Sequence, residues 1–315
     1  MTSADKNGSS RDNSNIYGNI RFRGIMPALV TPLDEKGRIN VSAVKELVDY
    51  MYLKGVDGFY VCGTTGEGPV LKKEARMEML EAVMECNGNR GKVIAHIASP
   101  CYEDTLELAR HADKTGADAI SSLSPNFFYD FTKEEISAYY ISISKASKIP
   151  LLIYVTSMFK DEILVDIIGS LVKGGNITGL KFTMKNYFLM RKIKELNGGN
   201  INVINGPDEM LLCGLSMGAD GGIGSTYNVM PELYAGLYKA FISDDIKAAQ
   251  ECQFRANRVT DVLIRHGDGN ALKAVKETLK MMGFDAGNCA SPSKIYTQTE
   301  KDALKRDLVK AGFKF

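Results

Sequence analysis

One lysine, Lys181, lies within a short run of strand-forming and apolar residues, 177–184, which reads Ile-Thr-Gly-Leu-Lys-Phe-Thr-Met. A buried strand of this type normally carries no charge, because an unpaired ammonium is costly in a low-dielectric site. In one interpretation Lys181 ends the strand and its flexible stem reaches water. In the other it is desolvated, which favours the neutral amine that attacks a carbonyl carbon and forms a Schiff base. The residues that converge on Lys181 decide between the two.

Other residues capable of chemistry follow other apolar runs. Residues 63–67 read Gly-Thr-Thr-Gly-Glu, a turn whose hydroxyl and N–H groups suit a carboxylate, although an ordinary loop with a helix cap has the same composition. Tyr154 ends a predicted strand, where its hydroxyl is either a proton shuttle or a satisfied core group. Thr183 lies two residues after Lys181 and therefore on the same face of the strand.

Two adjacent acids and a late serine complete this set. Residues 205–209 read Asn-Gly-Pro-Asp-Glu, and Asp208 and Glu209 directly follow a predicted strand. Carboxylates accept hydrogen bonds from hydroxyl groups and repel phosphate, so the pair favours a polyol ligand. Asp208 is equally suited to capping the next helix. Ser225 follows the last predicted strand, which is short and rich in glycine.

The sequence contains no pattern typical of a metal or nucleotide site. His96, His111 and His266 are far apart in the chain, and none belongs to an H-x-x-x-H or H-E-x-x-H pair. His96 is most simply a core histidine at a strand end. There is also no G-x-S-x-G elbow and no Walker loop. We therefore expect neither a metal nor a cofactor.

Bringing these residues together requires strands whose ends meet, and the chain supplies eight strand candidates that each precede a helix. The predicted strands are 25–30, 58–62, 93–97, 119–123, 151–155, 177–182, 201–204 and 221–223. Regular alternation is typical of a (β/α)8 TIM barrel, in which chemistry occurs at the carboxyl ends of the strands. An open doubly wound sheet is the alternative, but no G-x-G-x-x-G follows the first strand.

The predicted organisation has three parts. Residues 1–19 are polar and lack the apolar core of a signal peptide, so they are interpreted as a disordered extension. The barrel is predicted over residues 20–242. Helical patterns continue over residues 243–315, which we expect to form a C-terminal helical extension packed on the barrel.

Composition excludes several kinds of partner. The 315 residues are 44% hydrophobic, and the net charge is +1 with no basic stripe, so nucleic acid is not an expected partner. No run approaches the ~18 apolar residues of a membrane span. The six cysteines are scattered without a C-x-x-C pair, which indicates free thiols in a reducing compartment and favours the cytoplasm.

Taken together and in chain order, these motifs resemble one known family. It is the family of pyruvate-dependent class I aldolases that includes dihydrodipicolinate synthase and N-acetylneuraminate lyase. The resemblance runs from about Gly24 to the C-terminal helices, and the segments that are similar to the lyase branch are 94–96, 205–209 and 224–228. The motifs that carry it are 63–67, Tyr154, 179–183 and 218–228.

This resemblance implies a role for each candidate residue. Lys181 would form the Schiff base with the keto carbon, and Tyr154 would move protons to and from the substrate. Thr64 and Thr65, with their backbone amides, would hold the carboxylate. The residues implied to bind the polyol part of a sugar acid are Thr183, Gly206, Asp208, Glu209 and Ser225. The family is typically homotetrameric, with the loop near 124–129 reaching a neighbouring subunit's site.

The chain also departs from the family pattern in three places. After the strand-five tyrosine, lyases usually carry Asn-Ile-Pro-Ala and a glycine, whereas residues 155–159 here read Val-Thr-Ser-Met-Phe. Synthases place an arginine at or near Phe159 to hold a second carboxylate, and its absence counts against that branch. A second tyrosine of the family falls on Phe128 or on Tyr129, depending on the register of the loop.

The resemblance therefore predicts an aldolase that cleaves N-acetylneuraminate to N-acetylmannosamine and pyruvate, reversibly. Its partners would be small molecules, namely a sugar keto acid and pyruvate. One alternative is a relative that acts on another 2-keto-3-deoxy sugar acid, or a synthase-like enzyme. Another is a non-catalytic barrel that binds a keto acid, against which the presence of both Lys181 and Tyr154 argues.

Overall fold

The computed structural model describes residues 22–159, 161–174, 177–290 and 292–315. The predicted N-terminal extension, 1–19, lies outside the described residues, and so do the first two residues of the predicted barrel. Within the described ranges the chain alternates strand and helix from Gly24 to Ile242.

Eight parallel strands form one sheet in which each strand pairs with the next along the chain from β2 to β8, and β8 pairs with β1. A parallel bridge between Ala28 and Tyr60 joins the first strand to the second and closes the barrel. The predicted TIM barrel is thus confirmed. The strands are β1 (Gly24–Pro27), β2 (Gly58–Val61), β3 (Lys92–His96), β4 (Ala119–Leu123), β5 (Leu151–Val155), β6 (Ile177–Phe182), β7 (Asn202–Asn205) and β8 (Gly221–Gly224).

Over the residues that the structure describes, eight helices alternate with the strands, and three more follow. The alternating helices are α1 (Val41–Leu53), α2 (Lys73–Asn87), α3 (Tyr102–Thr115), α4 (Lys133–Ala146), α5 (Asp161–Leu171), α6 (Tyr187–Lys194), α7 (Leu211–Ser216) and α8 (Pro231–Ile242). The C-terminal helices are α9 (Ile246–His266), α10 (Leu272–Met281) and α11 (Gln298–Lys310). Among the helices that the structure describes, none has the length and apolar character needed to cross a membrane.

The helices cover the barrel with one apolar stripe each. In α1, Asn40 caps the first turn by accepting from the N–H of Ala43, and Val44, Leu47 and Met51 face the strands. Burying a side chain of this size contributes roughly 1.5–3 kcal/mol. The helix layer therefore supplies most of the apolar core, outside the strands.

A second, smaller core fills the inside of the barrel. Because side chains alternate along a strand, Leu152 and Tyr154 of β5 point inward while Ile153 points to the helices. Parallel register sets Tyr154 directly beside Lys181 of the neighbouring strand β6. The carboxyl half of the barrel interior is thus lined by polar and aromatic side chains.

Candidate active site

Lys181 lies inside the barrel and is only 5% exposed, so the interpretation in which it reaches water is wrong. Its Nζ lies 4.5 Å from the centre of the Tyr60 ring and 4.4 Å from that of Tyr154. Within the described ranges, no ion pair includes Lys181. The amine is therefore desolvated and held by aromatic faces, an arrangement that places it near a carbonyl carbon entering from the mouth.

Tyr154 lies on the adjacent strand β5 and is 5% exposed. Burial alone raises the pKa of its phenol, but the positive charge of Lys181 and a hydrogen bond with the Thr64 side chain outweigh burial and lower that pKa. A phenol that gives up its proton more readily than free tyrosine is suited to proton transfer. The phenol of Tyr154 and the amine of Lys181 thus lie side by side, an arrangement that suits proton transfer next to a nucleophile.

Tyr60 is a member of this pocket that the sequence analysis missed. Its ring lies beneath the amine of Lys181, and its hydroxyl donates to Ser121 Oγ at 3.0 Å. Tyr60 precedes the 63–67 turn on β2, and its inward direction follows from the period of two along a strand. The same count that placed Thr183 beside Lys181 would have found it.

His96 ends β3, as predicted, and its ring lies 5.8 Å from the ring of Tyr154. Its Nδ1 lies 3.0 Å from the main-chain oxygen of Cys62, which can only accept, so Nδ1 carries the hydrogen. Burial, followed by the charges of Arg76 and Lys181, holds the pKa of His96 well below its usual range. The imidazole is therefore neutral, and its buried Nε2 has no hydrogen-bond partner among the described residues.

The 63–67 turn lies at the carboxyl end of β2, beside Tyr154. The N–H of Glu67 donates to Thr64 O and the N–H of Gly68 donates to Gly63 O, both at 3.1 Å, which closes the turn. Thr64 is exposed at the mouth and Thr65 is half-buried, whereas Glu67 is buried. The Thr64 hydroxyl therefore lies beside the phenol of Tyr154, and the acidic side chain of Glu67 is buried away from solvent.

Asp208 follows β7 and is buried, with only one of its oxygens taking up the local donors. Its Oδ2 accepts from Thr226 N at 2.6 Å, from Thr226 Oγ1 at 2.7 Å and from Ser225 Oγ at 3.2 Å. The alternative in which Asp208 caps a helix is wrong, because the short helical turn 208–210 has no side-chain cap. Burial raises the pKa of Asp208, and the hydrogen bonds from Thr226 oppose that rise.

Glu209, the next residue, has a different environment. Its side chain is 35% exposed and lies 3.5 Å from Nζ of Lys185, itself 78% exposed. The two adjacent acids are thus one carboxylate that organises the loop and one that remains accessible.

Thr183 and Gly206 lie in close contact at the ends of β6 and β7. Thr183 Oγ1 is buried without a hydrogen-bond partner in the described part of the chain. A Cβ placed on Gly206 would lie 1.9 Å from that oxygen, so only glycine fits. The Thr183 hydroxyl also contributes to the lowered pKa of Tyr154, so it lies within reach of that phenol and of a ligand bound beside it.

The segments that depart from the family pattern border the same opening. Phe159 is 4% exposed and apolar where synthases carry an arginine, and Met158 packs against the interior core. In the 124–129 loop, Phe127 packs against that core as well, whereas Phe128 and Tyr129 are 79% and 76% exposed. Neither candidate for the second tyrosine therefore lies in this chain's own pocket.

Within the described ranges, no cluster of His, Cys, Asp and Glu side chains could hold a metal ion. All six cysteines are free thiols, as predicted. The pocket is accordingly built from one amine, phenols, hydroxyls and carboxylates.

Comparison with known proteins agrees with this architecture. Residues 21–311 match the model of the dihydrodipicolinate synthetase family. The N-acetylneuraminate lyase of Rhizobium meliloti strain 1021 is 35% identical over 290 residues, which are 91% of this chain and 94% of that protein. The N-acetylneuraminate lyase of Escherichia coli K12 is 36% identical over 256 residues, 81% of this chain and 86% of that protein.

Solved structures give the same result. The N-acetylneuraminate lyase of Mycoplasma synoviae superposes with a TM-score of 0.84 at 32% identity, covering 95% of this chain and all of that one. That of Proteus mirabilis superposes with a TM-score of 0.86 at 26% identity, covering 93% of this chain and all of that one. The matches span nearly the entire chain, in sequence and in fold, and the chain belongs to the dihydrodipicolinate synthetase family.

Proposed function

We propose that this protein is a lyase that cleaves N-acetylneuraminate to N-acetylmannosamine and pyruvate, and catalyses the reverse condensation. The observation that carries the proposal is the buried amine of Lys181, which lies between two tyrosine rings and beside the phenol of Tyr154. The relatives that align over most of the chain support the choice of substrate, since they are N-acetylneuraminate lyases.

In the proposed mechanism, Lys181 is the nucleophile. Its amine adds to the C2 keto carbon of the open-chain sugar acid, and loss of water gives an imine. The imine nitrogen withdraws electrons from the C3–C4 bond. When that bond breaks, its electron pair forms an enamine on C3, which takes up a proton and is hydrolysed to release pyruvate and the free amine.

Tyr154 is the proposed proton carrier for C–C cleavage. Its phenolate would accept the proton of the C4 hydroxyl as the C3–C4 bond breaks, leaving the aldehyde of N-acetylmannosamine. The lowered pKa of the phenol favours this role. Thr64 and Thr65 would hold the C1 carboxylate through hydroxyl and N–H groups, next to the same phenol.

The remaining residues are proposed to bind the sugar chain. Glu209 is the accessible acceptor for its hydroxyl groups, and Thr183 offers an unpaired hydroxyl beside Gly206. Asp208 and Ser225 form the hydrogen-bonded floor of this end. Carboxylates and hydroxyls are good partners for a polyol, since each sugar hydroxyl both donates and accepts.

A second candidate is an aldolase for another 2-keto-3-deoxy sugar acid. It is favoured by the 155–159 segment, where Met158 packs against the interior core at the opening and makes it more apolar. A synthase-like activity has less support, because buried Phe159 offers nothing to a second carboxylate.

We further propose a homotetramer in the cytoplasm. The aromatic side chains of Phe128 and Tyr129 are exposed on the 124–129 loop, where a neighbouring subunit would cover them. Free thiols are compatible with a reducing compartment. Sedimentation velocity of the wild-type protein measures the assembly directly, and a monomer at micromolar concentration would contradict it.

The substrate is tested by pyruvate release from N-acetylneuraminate, measured with a coupled dehydrogenase. We expect wild type to release pyruvate and Glu209→Ala to lower kcat/KM about tenfold to a hundredfold, the value of a hydrogen bond to a charged group. A six-carbon 2-keto-3-deoxy acid is too short to reach Glu209, so kcat/KM for that acid should hardly change in Glu209→Ala. Preference of the wild type for that shorter acid would favour the second candidate.

Lys185→Met is the matched control. It removes the exposed partner of Glu209 and leaves the carboxylate in place. If Lys185→Met loses as much activity as Glu209→Ala, the ion pair and not the sugar contact accounts for the loss.

A further inference from the structure

The 63–67 turn is hydrogen-bonded, through its buried residue Glu67, to the C-terminal region. Lys276 of α10 is 1% exposed, and its Nζ donates to Glu67 Oε2 at 2.8 Å. The same Nζ donates to the main-chain oxygens of Thr31 and Asn288, each at 2.8 Å. The three N–H groups of Lys276 thus join the barrel, the turn and the 285–290 loop at one point.

The connection continues from Glu67 to the hydroxyls at the mouth. Glu67 Oε1 accepts from the N–H of Ala290 at 2.6 Å, so both of its oxygens are held by the C-terminal region. Thr31 Oγ1 donates to Gly66 O at 2.6 Å, which fixes the preceding residue as well. Because Glu67 N also donates to Thr64 O, a displacement of Glu67 moves Thr64.

The sugar end of the pocket is tied to the same extension by α9. Gln253 Nε2 donates to Asp208 O at 3.1 Å, and Asn257 Nδ2 donates to Glu209 O at 3.1 Å. Gln253 Nε2 also donates to Asn257 Oδ1 at 2.8 Å. These amides bind the main chain of the two acids and therefore do not occupy the Glu209 carboxylate.

We propose that the C-terminal helices position the two ends of the substrate site separately. Lys276, through Glu67, fixes the turn that holds the carboxylate, and Asn257, through the main chain of Glu209, fixes the loop that holds the sugar. Both are positioning residues, since each acts through another residue at the mouth. The identity of the two ends rests on the proposed function. Fixing them in advance matters because a misplacement of about 1 Å can cost a hundredfold in rate.

The condensation reaction tests the separate positioning of the two ends, because pyruvate binds at the carboxylate end and N-acetylmannosamine at the sugar end. We expect Lys276→Met to raise KM for pyruvate about tenfold or more and to leave KM for N-acetylmannosamine unchanged. Asn257→Ala should do the opposite, raising KM for N-acetylmannosamine about two- to tenfold, the value of one neutral hydrogen bond. Each variant is thus the control for the other.

Lys301→Met controls for loss of stability alone. Lys301 lies on α11 and pairs at 3.2 Å with buried Glu277, which also pairs with Lys280, so the variant breaks an ion pair of the same extension that does not reach the mouth of the barrel. Both KM values should stay at the wild-type level. If Lys276→Met does not fold, Glu67→Gln decides, since it keeps the shape of the side chain while removing the charge that Lys276 binds. It should raise KM for pyruvate selectively, by a smaller factor.

Borohydride trapping separates failure of this inference from failure of the proposed function. The pyruvate concentration that gives half-maximal labelling of Lys181 measures the affinity of the carboxylate end for pyruvate, with no sugar present. A wild type that labels with pyruvate but does not condense N-acetylmannosamine would refute the proposed substrate, and labelling would still test Lys276. The inference is overturned if Lys276→Met and Glu67→Gln leave pyruvate binding unchanged. A rise of both KM values together in each variant, or a matching effect of Lys301→Met, would also overturn it.

Discussion

Two lysines are buried among the described residues, and their surroundings are opposite. Lys181 is 5% exposed inside the barrel, where its Nζ faces the rings of Tyr60 and Tyr154. Lys276 is 1% exposed between the barrel and the C-terminal helices, where its Nζ binds one carboxylate oxygen and two carbonyl oxygens. The two lysines are therefore similarly buried, but their nitrogen atoms contact very different groups.

The difference shows that burial alone does not identify a reactive lysine. The three hydrogen bonds of Lys276 require three N–H groups, so no lone pair is left to attack a carbonyl carbon. The amine of Lys181 has aromatic faces as neighbours and, in the described part of the chain, no ion-pair partner, so a ligand can become its partner. Structural and reactive lysines are thus distinguished by what the nitrogen contacts.

The largest expected effect is on covalent trapping. Wild type incubated with pyruvate and borohydride should gain a three-carbon adduct on Lys181 and none on Lys276, as mapped by peptide mass spectrometry. Lys181→Arg should gain no adduct and lose turnover, because a guanidinium stays charged and cannot attack. An adduct on Lys276, or on exposed Lys185, would show that Lys181 is not the reactive lysine.

Tyr154→Phe tests whether the phenol beside Lys181 transfers protons. Loss of the phenol should lower kcat by about 10²–10⁴-fold, the usual contribution of general acid–base catalysis. Tyr60→Phe is the matched control, since Tyr60 offers the same aromatic face to Lys181 while its hydroxyl donates to Ser121. A Tyr154→Phe variant with near-normal turnover would assign proton transfer to another group.

Stability should respond in opposite ways at the two lysines. Lys276→Met leaves the carboxylate of Glu67 buried without its ion-pair partner, which costs about 3–5 kcal/mol in the free energy of unfolding. Lys181→Met removes an amine that has no ion-pair partner, so stability should be unchanged or increased. Urea unfolding at a fixed protein concentration measures both, and equal losses would mean that the two lysines are alike.

An exposed lysine gives the smallest effect. Lys294 pairs with Glu300, and this bond, with those from Thr297, lowers the pKa of Glu300 to about 2 from its usual 4.5. Because the folded pKa lies below the usual value, the pair stabilises the protein above pH 4.5 and loses that effect as pH falls toward 2. Lys294→Met should lower Tm slightly at pH 7, less so in high salt and still less as pH falls through 2. A loss as large as that of Lys276→Met would contradict this order.

The sequence was sufficient for the fold and for the placement of Lys181 and Thr183 on one strand face. Alternation of short apolar runs with helical patterns predicted all eight strands, and the period of two along β6 predicted that Lys181 and Thr183 share a face. The predicted ends of the strands were less accurate than their number and order. The first strand was predicted to reach residue 30, but its ladder ends where Pro27 pairs with Gly224 at the end of β8. Strand length there depends on the partner strand, which local sequence does not contain.

The supporting contacts could not be predicted for a related reason. Lys276 and Glu67 are 209 residues apart, and the pattern around Lys276 is that of an ordinary helix. The sequence favoured a helix cap and a ligand-binding residue equally for Asp208. In the structure its carboxylate instead accepts hydrogen bonds from Thr226, which joins the end of β7 to the end of β8. Only Tyr60 was within reach of sequence reasoning, by counting strand faces on β2.

The closure of the barrel has a consequence for how the chain must be made. Each strand from β3 to β8 can pair with its predecessor as it leaves the ribosome, but the ladder of β1 must wait for β8, since Gly24 pairs with Gly221. At about 5–20 residues per second, roughly ten seconds or more separate the synthesis of these two strands. During that interval the nascent sheet carries an unpaired edge, the usual point at which unfinished chains associate with one another. Completion of β8 is thus the step that ends this exposure.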